Sequence, residues 1–124
     1  MARKSKYQIW KKKRQRIKYR IMQKNIGNYP RLVVYRSNAN IYAQLVDDKK
    51  GTTVLSASSI DKGIKSLIDK ATNKIEKSKI VGESLAGKIK EAKIGRIVFD
   101  RNGYKYHGRV KALTEAIRSA EITI

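Results

Sequence analysis

The sequence predicts a single small α/β domain: a mixed sheet of about four strands, three of them an antiparallel meander, packed with two main helices and preceded by a basic N-terminal helix or arm. Three observations predict it. The 124 residues amount to about one domain, enough to bury roughly two thirds of the unfolded surface. Apolar and β-branched residues recur with helical and strand periodicity in the order helix, three strands, helix, strand, helix, which suits one layered sandwich. The charge is also divided: thirteen Lys or Arg residues run from Arg3 to Arg36 before the first carboxylate, Asp47, while 17 of the 30 cations share the rest of the chain with all 10 carboxylates. That division separates a basic arm, residues 1–26, from a domain at residues 27–124.

Met1 to Lys6 has too little apolar content to order itself. Tyr7 to Lys24 is built of good helix formers. Tyr7, Trp10, Ile17 and Ile21 fall on one narrow apolar stripe, with Lys or Arg in nearly every other direction. Such a segment repels itself and should be largely unstructured or frayed until a polyanion screens it. Gly27, Asn28 and Pro30 end the helix, and Pro biases Tyr29 toward extended backbone. Leu32–Tyr35 and Ile41–Val46 form a hairpin around Ser37-Asn38-Ala39-Asn40. Asp47 to Gly51 makes the next turn and Thr52–Ala57 the third strand; Asp47 and Asp48 are read as turn formers rather than an acid/base pair.

Ile64, Leu67 and Ile68 mark a short helix within Asp61–Lys70. A longer helix starts near Thr72 or Asn73, either of which can cap it, and places Ile80, Val81, Ser84, Leu85, Ile89 and Ala92 on one face. Gly82 and Gly87 weaken it, so a close approach to the sheet is expected there. Ile97-Val98-Phe99 fits a buried strand, and Arg109–Ala120, with Val110, Leu113, Ala116 and Ile117 on one face, the closing helix.

Several classes of function fall away. Without Cys there is no disulfide, thiolate metal site or thiol nucleophile, and a single His makes no metal cluster. No apolar run approaches the roughly 20 residues that span a bilayer, and the N-terminus has no signal-peptide core, so the chain is expected to be mature and soluble. Neither a nucleophile elbow nor a phosphate-binding Gly-rich loop is present, so no catalytic residues, cofactor or metal are expected.

The densest polar stretch is Asp100-Arg101-Asn102-Gly103-Tyr104-Lys105-Tyr106-His107-Gly108-Arg109, between the last strand and the last helix. Aromatic rings, a His and cations there suit RNA, whose unstacked bases lie on flat faces and whose phosphates meet guanidinium forks. The structural alternative is a turn with Tyr104 or Tyr106 packed on the core, Asp100 paired with Arg101, and His107 as a cap.

Phe99 to Val110 resembles the closing signature of the bacterial-type ribosomal protein of the large subunit that binds 5S rRNA, number eighteen in that subunit's series. A second block agrees: Pro30 to Asn38, Ile41-Tyr42-Ala43-Gln44, Asp47-Asp48 and Gly51-Thr52. The resemblance spans about Arg16 to Ala120. It implies a ribonuclease-H-like arrangement packed on 5S rRNA in the central protuberance, monomeric within the large subunit of the cytoplasmic ribosome of a bacterium, an organellar ribosome being the alternative. Partners would be 5S rRNA, 23S-type rRNA and neighbouring 5S-binding ribosomal proteins, with no membrane involved.

The RNA-facing candidates are Arg3, Lys4, Lys6, Lys11, Lys12, Lys13, Arg14, Arg16, Lys18 and Arg20 of the arm; Arg36, Ser37, Asn38, Asn40 and Tyr42 of the hairpin; and Arg101, Tyr106, His107, Gly108 and Arg109 of the loop. Two departures from the family pattern stand out: Lys93 replaces a Gly at the end of the long helix, and Ala120 to Ile124 replaces a Gly and a terminal aromatic. The competing reading from another class is a DNA-compacting architectural protein, which is also small, basic and free of Cys but works as a symmetric dimer with apolar wedges.

Overall fold

The computed structural model describes residues 5–124. Helix α1 (Lys6–Lys24) begins at a reciprocal capping box: the Ser5 hydroxyl accepts from the Gln8 amide, and the Gln8 side chain accepts from the Ser5 amide. The expectation of disorder up to Lys6 is therefore corrected for Ser5 and Lys6, while Met1 to Lys4 lie outside the described residues. The Ser5-x-x-Gln8 spacing was the overlooked signal.

Strands β1 (Arg31–Arg36), β2 (Ile41–Asp47) and β3 (Thr52–Ser58) form the expected antiparallel meander, with a bulge at Leu45/Val46. A single 3₁₀ turn, Lys62–Ile64, leads into α2 (Lys65–Lys70), and α3 (Lys74–Glu91) then carries the chain to β4 (Val98–Asp100). Strand β4 runs parallel to β1, giving the sheet order β3-β2-β1-β4, and α4 (Gly108–Arg118) closes the domain. The strand expected from Ile97 starts one residue later. Ile97 is fully buried, but its amide donates to the Thr123 carbonyl of the C-terminal segment instead of joining the β1 ladder.

Alternation along the strands decides which face is covered. Leu32, Val34, Ile41, Ala43 and Leu45 meet Val81, Leu85 and Ile89 of α3 and Val110, Leu113 and Ile117 of α4 in one core. The opposite face carries Val33, Tyr35, Tyr42 and Gln44; among the described residues, α1 and the Asn102–Tyr104 turn lie beside it, toward the β4 edge. Among the described residues, no helix is long and apolar enough to cross a membrane.

Of the two expected candidates, Asn73 caps α3, its side-chain oxygen accepting from the Glu76 amide at 2.9 Å. The glycines of α3 need a different account from the expected one. A Cβ at Gly82 would run into the Leu113 carbonyl and lie 2.9 Å from the Ala116 Cβ, so the close approach is to α4 and not to the sheet. Gly87 is exposed and has open space around it, so close packing does not account for it.

Lys93 ends α3 in a Schellman motif. Its amide donates to the Lys90 carbonyl, the Ile94 amide donates to the Ile89 carbonyl, and Lys93 sits at φ 58°. A side chain strains this left-handed position where Gly would not. Lys93→Gly is expected to stabilise the fold by about 1 kcal/mol, read as a higher thermal midpoint. The C-terminal departure also includes a left-handed residue, Glu121 at φ 66°, after which Ile122 is buried.

On the sheet face opposite the core, beside Val33 and Gln44, lies an ion triad. Arg31, 6 % exposed, donates from Nε and Nη2 to the two oxygens of Asp48 at 2.9 and 3.1 Å, and from Nη1 to Asp100 at 2.6 Å. Burial opposes the Arg31 charge, but the two carboxylates, Asp48 foremost, outweigh it and raise its pKa. Asp47 is the turn former, accepting from the Lys49 and Lys50 amides, whereas Asp48 is spent on Arg31. Asp100 likewise pairs with Arg31, which corrects its expected alternative pairing with Arg101.

Candidate nucleic-acid interface

A cleft of about 940 Å³ opens between α1, the far end of the β1–β2 hairpin, and the loop from Gly103 to His107 with the first residues of α4, Gly108 and Arg109. Its walls carry Tyr7, Trp10, Tyr35 and Tyr104 as aromatic surface and Lys13, Arg36, Lys74, Lys105, His107 and Arg109 as cationic or titratable groups, with no carboxylate. The strand register explains Tyr35, which points away from the core and faces Tyr42 across the ladder. Trp10 is the hub, with ring centroids 5.8 Å from Tyr7, 5.6 Å from Tyr104 and 6.4 Å from Tyr35.

The cations of the cleft are held as well as present. Arg36 lies 4.9 Å over the Tyr104 ring. Arg109 donates to the Ser37 carbonyl at 2.8 Å, tying the start of α4 to the hairpin, and Lys74 donates to the Asn38 side chain at 3.2 Å. Burial, and then the neighbouring Arg36 charge, lower the Arg109 pKa below that of an ordinary guanidinium. Both penalties fall on the charged form, and an anion in the cleft would relieve them. No acidic residue occupies the first turn of α4 to do so.

The other arm cations spread around the helix. Lys11, Arg14 and Lys18 lean over the sheet face opposite the core beside Val33, Gln44 and Val46, while Lys12, Arg16 and Arg20 flank Tyr19. Lys6 is the exposed first residue of α1; Arg3 and Lys4 lie outside the described residues. Among the described residues, no α1 cation forms a salt bridge. The helix is formed, but no side chain in it is fully buried.

The remaining candidates divide. Ser37 and Asn40 close the hairpin turn on each other, and the Asn40 side chain accepts from Ser59. Tyr42 lines a hollow next to the cleft with Arg14, Tyr35 and Gln44. His107 lines the cleft and holds the N-cap position of α4 without a side-chain capping bond. Gly108 follows it at φ 53°, a conformation that glycine adopts freely.

Tyr106 and Arg101 lie apart from the cleft. The Tyr106 hydroxyl donates to Glu115 at 2.8 Å and accepts from Arg118 at 3.2 Å, while its ring meets Phe99 edge-on at 5.9 Å. Burial, followed by the Glu115 hydrogen bond, raises its pKa. Arg101 donates to the Tyr104 carbonyl and lines a separate groove with Ile17, Ile21 and Phe99. Tyr104 and Lys105 fall within the loop that the sequence marks as suited to RNA, whereas Trp10, Tyr35 and Lys74 are site residues beyond the sequence candidates. The alternation of β1 was the available signal for Tyr35; Lys74, distant in sequence, offered none.

Comparison with known proteins agrees with this architecture. The family described as ribosomal L18 of archaea, bacteria, mitochondria and chloroplast matches residues 4–124. The large ribosomal subunit protein uL18 of Fusobacterium nucleatum is 54% identical over 94 residues, 76% of each chain. That of Dictyoglomus thermophilum is 50% identical over 103 residues, 82% of this chain and 84% of its own. That of Lysinibacillus sphaericus is 44% identical over 118 residues, 95% and 94% respectively. A match that runs from the arm through the sheet, the cleft and the last helix is a match of the whole domain, and the chain belongs to the ribosomal L18 family, as a bacterial-type protein of the large ribosomal subunit.

Proposed function

We propose that this structural protein of the large subunit binds 5S rRNA and helps attach it to the central protuberance of the cytoplasmic ribosome. The observation that carries the reading is the cleft: aromatic walls, five Lys or Arg residues and no carboxylate, continuous with a helix whose cations have no protein counter-charge among the described residues. Phosphates supply the missing anions, and the planar side chains accommodate bases or ribose. The contacts fall to α1, the hairpin end and the loop that includes Tyr104, His107 and Arg109. Contacts to 23S-type rRNA and to adjacent 5S-binding proteins belong to the same proposal, with a single copy of the chain in each subunit. The work is that of a scaffold, not an enzyme.

Arg109→Ala tests this reading at one side chain. It is expected to weaken 5S rRNA binding by about 1–3 kcal/mol, the range for a good charge-assisted contact. The melting temperature should change little, because the Arg109–Ser37 bond is exposed and neutral on one side. Unchanged affinity with a lowered melting temperature would assign Arg109 to the fold and remove the loop from the proposed interface.

A further inference from the structure

We propose that Trp10 and Arg14 are positioning residues, which seat α1 on the Asn102–Gly103 turn and thereby fix the Tyr104–Arg109 loop for RNA; the inference rests on the RNA-binding reading above. The Trp10 indole Nε1 donates to the Asn102 carbonyl at 2.9 Å, and the Arg14 Nε donates to the Asn102 side-chain oxygen at 2.6 Å. The Arg14 guanidinium also lies 4.5 Å over the Trp10 ring, so the two side chains grip the turn as one unit. Arg14 is thus hydrogen-bonded to the protein, unlike the other α1 cations among the described residues.

The turn is shaped to receive them. Asn102 and Gly103 both adopt left-handed backbone, at φ 55° and 81°, and Asn102 is 4 % exposed. A Cβ on Gly103 would lie 2.9 Å from the indole Cδ1 and Nε1, so the residue is bare where the ring sits. From the other side, the Asn102 amide donates to Asp100, which is fixed in turn by Arg31. The turn is therefore clamped between the ion triad and α1, and the loop leaves it directly.

This arrangement links two parts of the interface that the chain separates by about ninety residues. Docking α1 restrains the loop, and a ligand that orders one lowers the cost of ordering the other. Trp10 is the only tryptophan, so its emission reports the seat directly.

The test compares Trp10→Ala, Trp10→Phe and Gly103→Ala in the full chain. Gly103→Ala is expected to red-shift Trp10 emission, and both alanine variants to speed hydrogen exchange at the Tyr104 and His107 amides, which are bonded within the loop, while β1 and β2 amides keep their rates. For 5S rRNA, the affinity losses of Trp10→Ala and Arg109→Ala should fall short of multiplying, by about fivefold or more in the double variant. Trp10→Phe, which keeps a ring against Gly103, should recover part of the loss.

If Trp10 acted only by touching RNA, Gly103→Ala would leave affinity and loop exchange unchanged, and that result overturns the seat. Losses that multiply fully would overturn the coupling while leaving RNA binding intact. Absence of any wild-type affinity for 5S rRNA would overturn the binding reading instead, and loop exchange in Gly103→Ala would still decide the seat.

Discussion

Affinity for 5S rRNA is expected to fall by roughly 10³ to 10⁵ between about 50 and 200 mM salt, the range for 6 to 10 neutralised phosphates. Lys12, Lys13, Arg16, Lys18 and Arg20 of α1, with Arg36, Lys105 and Arg109 around the cleft, supply cations of about that number. Each phosphate contact releases counter-ions, so the loss grows with the number of contacts and not with their sequence specificity. Binding isotherms across the salt series check it through the slope of log affinity against log salt. An affinity flat over this range would mean that base or shape contacts carry the binding and that the arm's charge serves something else.

Arg31→Ala is expected to cost about 3–5 kcal/mol of folding stability, as breaking a buried ion pair from one side does. The substitution leaves Asp48 and Asp100 facing each other where one guanidinium had met both, and Asp100 is only 2 % exposed. Arg31→Lys should recover only part of the loss, because a single ammonium cannot reproduce the fork that meets two carboxylates. Urea unfolding with an unchanged slope is the measurement. A loss below about 1 kcal/mol would show that water reaches and screens the triad.

The loss should also reach the interface, since Asp100 holds the Asn102 amide and Asn102 receives α1. In this way the fold's most buried charges support the surface that carries the exposed ones.

The elements were legible because their signals are local. Leu32, Val34, Ile41, Ala43 and Leu45 alternate with outward residues as a half-buried sheet requires, and Val110, Leu113 and Ile117 recur at helical spacing. Asn73 could be named as a cap because capping acts over three residues. The errors arose where the deciding partner is distant in the chain. Gly82 is explained by Leu113 and Ala116, Asp48 and Asp100 by Arg31, and Asn102 by Trp10 and Arg14.

The same distinction holds for the site. The sequence marked a cationic arm and an aromatic loop, but pairing Tyr104 rather than Tyr106 with the cleft required the turn at Gly103 and the position of Phe99. Glycines and carboxylates whose roles depend on tertiary approach give no periodic signal.

Competition at one moderate salt concentration tests the central claim most directly. The protein is bound to labelled 5S rRNA and challenged with unlabelled 5S rRNA or with duplex DNA of equal phosphate content. The account predicts that 5S rRNA displaces the label at far lower concentration than DNA does, because the cleft and loop add contacts that phosphate charge alone does not supply. Equal displacement by the two polyanions would contradict it and favour a DNA-compacting protein that reads charge and little else.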